Sequence, residues 1–241
     1  MNPEQAQPPN LHPLDNPIWN ALTTEHRSLA IGEGSARRYP PQIGPLSGVG
    51  EETAGAFAAL REATVQDGDC AMFLQAPVNE LEGWDVSIYH SDTLNQMVWE
   101  GRELAVAGPV RDGAVQRELR QADVPAMVEL AHLTEPGPFD VRTHELGGFR
   151  GTFEGERLLA MAGQRLHLPG FAEVSAVCTH PDARGRGYAR RLMLEVMAGI
   201  VARGEKPFLH VLPQNPAIRL YEELGFRKRR DFYLRVLKRV G

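Results

Sequence analysis

Apolar residues recur along the second half of the chain with two distinct periods. Val174–Cys178 is a short continuous apolar run, the pattern of a buried strand, and Thr179-His180-Pro181-Asp182 ends it because proline cannot pair in a sheet interior. After Arg184-Gly185-Arg186-Gly187 the period becomes helical. Ala189, Leu192, Met193, Val196 and Ile200 then share one face, with Arg190, Arg191 and Glu195 on the other. Gly204 caps this helix behind the cation of Arg203. Pro207–Leu212 reads as a second buried strand. Asn215-Pro216 opens a short helix that Gly225 ends, and Phe232–Leu237 closes as a strand.

Upstream, the same reading places a first strand over Gln116–Arg120 and a helix that starts at Asp123 with Met127, Leu130 and Ala131 inward. A short helix over Val141–Leu146 follows. A hairpin across Glu154-Gly155-Glu156 then joins Gly148–Glu154 to Arg157–Leu166. In the first hundred residues, Ile18–Ala30 and Glu51–Thr64 read as helices and Asp69–Gln75 and Leu94–Trp99 as strands, with residues 37–50 as a Gly/Pro-rich loop. The expected layout is a polar, proline-rich arm over 1–17, an N-terminal lobe over 18–110 and a second domain over 115–241. The fold class is α/β, in the α+β sense: a mixed, mostly antiparallel sheet flanked by helices.

Composition narrows the function. At 241 residues, 42% hydrophobic and 24% charged, the chain has the make-up of a globular protein with ample core. A net charge of −5 argues against general nucleic-acid binding. No apolar run is long enough to span a membrane and no secretion signal opens the sequence, so no membrane partner is expected. Two cysteines, Cys70 and Cys178, are too few for a disulfide framework, and a cytoplasmic location is the expectation. His132, His144, His167 and His180 are scattered without metal-ligand spacing, so no metal is expected. Arg227-Lys228-Arg229-Arg230 reads as a solvated basic turn or as a phosphate contact.

Strand, glycine loop and helix in that order read as an anion site or as an ordinary turn. The first-turn N–H groups are unsatisfied, the helix dipole is positive there, and small residues let a phosphate approach the backbone. The run Arg184-Gly185-Arg186-Gly187-Tyr188-Ala189, the next strand, and Asn215-x-Ala217-x-x-x-Tyr221-x-x-x-Gly225-Phe226 together resemble the coenzyme A core of the GNAT superfamily of N-acetyltransferases. The resemblance spans roughly residues 115–238, and the N-terminal lobe resembles a degenerate repeat of the two-lobed, glycine N-acyltransferase-like layout.

The resemblance implies an acetyl-coenzyme A-dependent N-acetyltransferase in which a primary amine, on a small molecule or on a peptide or protein, attacks the thioester directly. It implies main-chain pairing of pantetheine with Val177, Cys178 and Thr179, and phosphate binding by Arg184, Gly185, Arg186, Gly187, Tyr188, Ala189 and Arg190. Asn215 would contact pantetheine or serve only as a helix cap. Tyr221 would protonate the leaving sulfur or serve only in packing. Glu173 resembles the strand-opening glutamate of the histone-acetyltransferase branch. Period-2 alternation puts Glu173, Ser175 and Val177 on one face, where Glu173 is a candidate general base. A solvated strand-edge carboxylate is its other reading. His210 is the rival base, and a water chain needs neither. Two further readings stay open: a non-catalytic acyl-coenzyme A-binding module, and transfer of a longer acyl group to an amino acid. A homodimer is also compatible with the family.

Overall fold

The computed structural model describes residues 12–66, 68–108 and 113–240. The expected arm over 1–17 lies mostly outside them. Eight strands form one sheet in the order β3-β10-β4-β9-β8-β7-β6-β5. These are β3 (Asp69–Leu74), β4 (Trp84–Trp99), β5 (Val115–Glu118), β6 (Arg150–Glu154), β7 (Arg157–Leu168), β8 (Phe171–Thr179), β9 (Lys206–Val211) and β10 (Phe226–Arg239). All neighbours are antiparallel except β8 and β9. A separate ribbon pairs β1 (Ala36–Arg38) with β2 (Ser47–Val49), inside the stretch expected to be loop.

The expected boundary between lobes falls near residues 109–112, outside the described residues. Strands from both sides of it share the sheet. β4 lies between β9 and β10, pairing Gln96 with His210 on one side and Phe232 with Leu94 on the other. The N-terminal half therefore supplies a central strand beside the strand that carries His210.

Helices cover both faces. α4 (Tyr188–Ala202) buries Leu192, Met193, Val196, Met197 and Ile200 against Ala172 and Val174 of β8 and Leu209 of β9. On other parts of the sheet, α1 (Pro17–Thr23) sets Ile18 and Leu22 in a cluster with Phe208 and Phe232. α2 (Ala54–Glu62) packs Phe57 and Leu60 on Cys70 and Met72, and α3 (Val124–Thr134) packs Met127 and Leu130 near Cys178. α1 is shorter than its sequence pattern because Thr23 and Thr24 turn their hydroxyls back onto the carbonyls of Trp19 and Asn20, competing with continuation of the helix. α2 starts where Thr53 accepts from the Ala56 N–H at 3.3 Å. The expected short helix at 141–146 is one 3₁₀ turn, Thr143–Leu146.

The basic run near the C-terminus is strand, not loop. Arg229 and Arg230 both reach Asp15 (2.7 and 2.9 Å), and Lys228 reaches Asp231, so the run tacks the N-terminal segment onto β10.

Candidate active site

β8 and β9 hold together only at their starts, through Phe171↔Lys206, Ala172↔Pro207 and Glu173↔Phe208, and then part. A strand edge opened inside a sheet leaves backbone N–H and C=O groups available to an extended ligand. A cavity of about 410 Å³ occupies the opening, with Val174–Val177 of β8 on one wall and Leu209–Val211 of β9 on the other.

β8 carries a bulge at this point. Its pairing with β7 advances from Cys178 to Ser175 while β7 advances only from Met161 to Gly163, and Ala176 takes a left-handed φ of 51°. One extra residue flips the facing of everything beyond it. Glu173 therefore lies on the opposite face from Val177. Glu173 packs toward Leu166 and His210, whereas Val177 packs with the α4 cluster. The expectation that Glu173, Ser175 and Val177 share a face fails for this reason. Cys178 turns toward α3, where burial pushes its thiol up to about 11.

At the end of β8 the chain makes a 3₁₀ turn (Pro181–Ala183) and enters the glycine loop. Gly185 and Gly187 adopt φ of 78° and 79°, and a side chain at either would meet open space. Backbone conformation is what demands glycine here, not crowding. Gly187 is the N-cap of α4 and offers no side chain to its first turn, so those N–H donors remain for a ligand. Arg184, Arg186 and Arg190 are exposed around them, with Arg186 3.6 Å from Glu154. Ala189 is half-buried. Tyr188 is buried in the core under α4, so only its main chain faces the loop.

Asn215 and Tyr221 line the far end of the cavity. Asn215 accepts from the Ala217 N–H at 2.9 Å and so caps the turn into α5 (Ile218–Glu223). Among the described residues nothing hydrogen-bonds the Tyr221 phenol. Burial pushes its pKa up to about 12, which keeps the proton on at neutral pH.

Glu173 is fully buried. Its carboxylate accepts from Arg165 Nε (2.9 Å) and Nη2 (2.7 Å), from the Leu166 N–H (3.3 Å) and from His210 Nδ1 (2.8 Å). Burial alone would raise its pKa, but the Arg165 guanidinium and His210 outweigh that and hold it at about 2. His210 Nε2 meets the Gln96 amide at 3.2 Å. The orientation of Gln96 is fixed by its bond to the Leu14 carbonyl (2.9 Å) and by Arg229, which donates to its Oε1 (3.0 Å). Gln96 must therefore donate to Nε2, which assigns the His210 proton to Nδ1, and both ring nitrogens are engaged. Burial lowers the His210 pKa and keeps the ring neutral. This placement suits Glu173 and His210 to anchoring rather than to proton abstraction.

The other half of the cavity is built by residues that carry no motif. Phe73 of β3, Leu94 of β4 and Leu234 and Val236 of β10 form an apolar wall. Pro45 and Leu46 extend it, held by the Ala71 N–H on the Pro45 carbonyl (2.8 Å). Between Ile88 and Thr93, β4 bulges away from β10 and carries Tyr89 and His90 to the cavity. Buried Arg235 clamps that bulge by donating to the Asp92 carbonyl at 3.2 Å. Among the described residues no cluster of metal-ligating side chains occurs, and no helix is long and apolar enough to cross a membrane.

A family model described as FR47-like protein matches residues 149–236. A solved structure from Novosphingobium aromaticivorans, assigned as an acetyltransferase from the GNAT family, is 40% identical over 96% of this chain and 100% of that one, with a TM-score of 0.82. A GCN5-related N-acetyltransferase from Kribbella flavida is 13% identical over 93% of this chain and 94% of that one (TM-score 0.64). One from Sphaerobacter thermophilus is 17% identical over 81% and 73% (TM-score 0.52). These last two share the fold. No curated protein matches the chain.

Proposed function

The chain belongs to the GNAT family of N-acetyltransferases, and from that premise we propose that it moves the acetyl group of acetyl-coenzyme A to a primary amine within a ternary complex. The observation that carries the coenzyme reading is the pairing of a parted β8/β9 edge with an uncapped α4 N-terminus behind Gly185 and Gly187. The first suits the extended amide-bearing arm of a coenzyme and the second its pyrophosphate.

Acetyl-coenzyme A supplies the activated acetyl group as co-substrate. Main-chain groups of Val177, Cys178 and Thr179 orient it along β8, with the Val177 N–H as the donor to the carbonyl oxygen. Arg184, Arg186, Arg190 and the N–H groups of Gly187, Tyr188 and Ala189 bind phosphate. Asn215, already a helix cap, adds a polar contact. The amine forms an N–C bond to the carbonyl carbon as the C–S bond breaks, and Tyr221 holds its phenolic proton toward the departing sulfur.

No side chain takes the acetyl group in transit. Cys178, the only thiol near the cleft, is buried on the α3 side and is protonated at neutral pH. Glu173, held at about 2, is a poor match for an ammonium near pKa ~10, and His210 has no free lone pair. Neither takes the amine's proton, which passes to water in the cleft, and the thiolate takes up a proton from water as it leaves. Transient kinetics test the direct route: with acetyl-coenzyme A alone the protein should show no burst of free thiol. A stoichiometric burst would replace it with an acyl-enzyme.

A further inference from the structure

The acceptor half of the cavity contains one cation whose hydrogen-bonding capacity is only partly used. Arg165 stands in the cavity wall with its side chain 13% exposed. It has five N–H donors in a fixed fork. Two meet Glu173, through Nε and Nη2. Among the described residues none partners Nη1, so both its hydrogens and one on Nη2 remain. Gly137, another residue of the cavity wall, lies beside this end: a Cβ there would sit 3.9 Å from Nη1, an ordinary contact.

Glu173 cannot serve a second cation. Its oxygens already take four donors, and the Arg165–Glu173 pair is neutral as a unit beside a neutral His210. Desolvated guanidinium donors without partners are costly, and a carboxylate matches the geometry of the fork. A cationic group placed at the same point would meet a like charge.

Around Arg165 the chamber is mostly apolar, with Asp69, His90 and Glu135 also in its lining. Phe73 lies under the guanidinium, 6.0 Å from ring centroid to Cζ, and Leu94, Leu234 and Val236 continue the wall. The whole cavity, about 410 Å³, must also admit the acetyl-bearing end of the coenzyme, so its occupant is small. Resting on the acetyl-transfer reading, we propose that Arg165 receives the carboxylate of the acceptor. The amine acetylated then belongs to a small amino acid with an apolar side chain. Its carboxylate bridges Nη1 and the free hydrogen of Nη2, its side chain lies on Phe73 and the leucines, and its amine faces β8.

Binding of reaction products tests this without turnover. N-acetyl-L-leucine and N-acetyl-L-phenylalanine are titrated by calorimetry into the full-length protein, with and without coenzyme A, beside their carboxamides, in which an uncharged NH2 donor replaces one acceptor oxygen. The acids should bind roughly tenfold to a hundredfold tighter than the amides, the range of a charge-assisted hydrogen-bond pair. Arg165→Lys keeps a cation beside Glu173 but loses the fork. It should narrow that preference and leave amide binding in place. If this variant does not fold, the acid–amide comparison on the unmodified protein decides alone. Equal binding of acid and amide, or no binding of either, overturns the proposal. Coenzyme A titrated by itself reports separately on the coenzyme site, so a failure there does not mask a failure at Arg165.

Discussion

Replacing Tyr221 by Phe deletes one oxygen at the end of the cavity where the sulfur of the coenzyme would sit. The phenol has no protein partner among the described residues, and burial pushes its pKa up to about 12. A free thiol titrates near ~8.5, so handing the proton completely to a thiolate would be uphill by roughly 5 kcal/mol. On the proposed reading Tyr221 would therefore act by hydrogen bonding to the sulfur as charge develops on it, rather than by full proton transfer. A hydrogen bond to a charged group contributes about 1.5–3 kcal/mol, which converts to a fall in kcat of roughly 10- to 150-fold. Affinity for the coenzyme should be unchanged because the bond matters only as the C–S bond breaks. Thiol-release kinetics at saturating co-substrate, with coenzyme affinity from calorimetry, give both quantities. The shape of the pH–rate profile should also survive, since a group at about 12 does not titrate in the working range. A variant within about twofold of the parent would refute the assignment. So would a basic limb near pH ~8.5 that disappears with the hydroxyl.

Other consequences follow from the buried groups. Glu173→Gln leaves Arg165 without its counter-charge and should destabilise the protein by about 3–5 kcal/mol, read as a shift of the denaturation midpoint. Cys178→Ala should lose only modest stability and keep turnover within about twofold, because the thiol takes no part in transfer. His26 Nδ1 lies 2.7 Å from the Tyr39 hydroxyl oxygen, and burial lowers the ring's pKa to about 4. A histidine held neutral in the fold contributes stability that is complete above its unfolded value of 6.5 and is lost as pH falls through about 4, a loss of roughly 3 kcal/mol. Thermal melts across that window should show the decline. His26→Gln keeps a hydrogen-bonding partner for Tyr39 but cannot take up the proton, and should flatten it.

The elements readable from sequence were those whose signal is local. The apolar run of β8, the turn at Pro181, the paired glycines and the period of α4 lie within thirty residues of one another, and the structure places them as strand, loop and helix in that order. β4 and β10 were read only in part, over Leu94–Trp99 and Phe232–Leu237. Their other halves are polar or interrupted by bulges, at Lys228/Arg230 in β10 and between Ile88 and Thr93 in β4, so no clean alternation marks them. The β8 bulge rests on a single left-handed alanine, Ala176, which no residue type announces, and it reversed the facing of Glu173 relative to Val177. Arg165 carried no signal at all. A lone arginine in a hairpin strand reads as a solvated cation until the pairing of β7 with β8 sets it beside Glu173. The acceptor wall was equally hidden, because Phe73, Leu94 and Leu234 meet only through the interleaving of β3, β10 and β4.

The coenzyme site is the claim on which the rest depends, and a calorimetric titration of the protein with acetyl-coenzyme A tests it most directly, beside the variant Ala189→Glu. Ala189 is half-buried in the first turn of α4, where a carboxylate favours the helix through its dipole but repels a pyrophosphate at the same N–H groups. The account predicts saturable one-to-one binding by the parent protein. It also predicts a loss of at least about tenfold in the variant, with its melting temperature maintained. Binding that the variant leaves intact, or none by the parent protein, would contradict it.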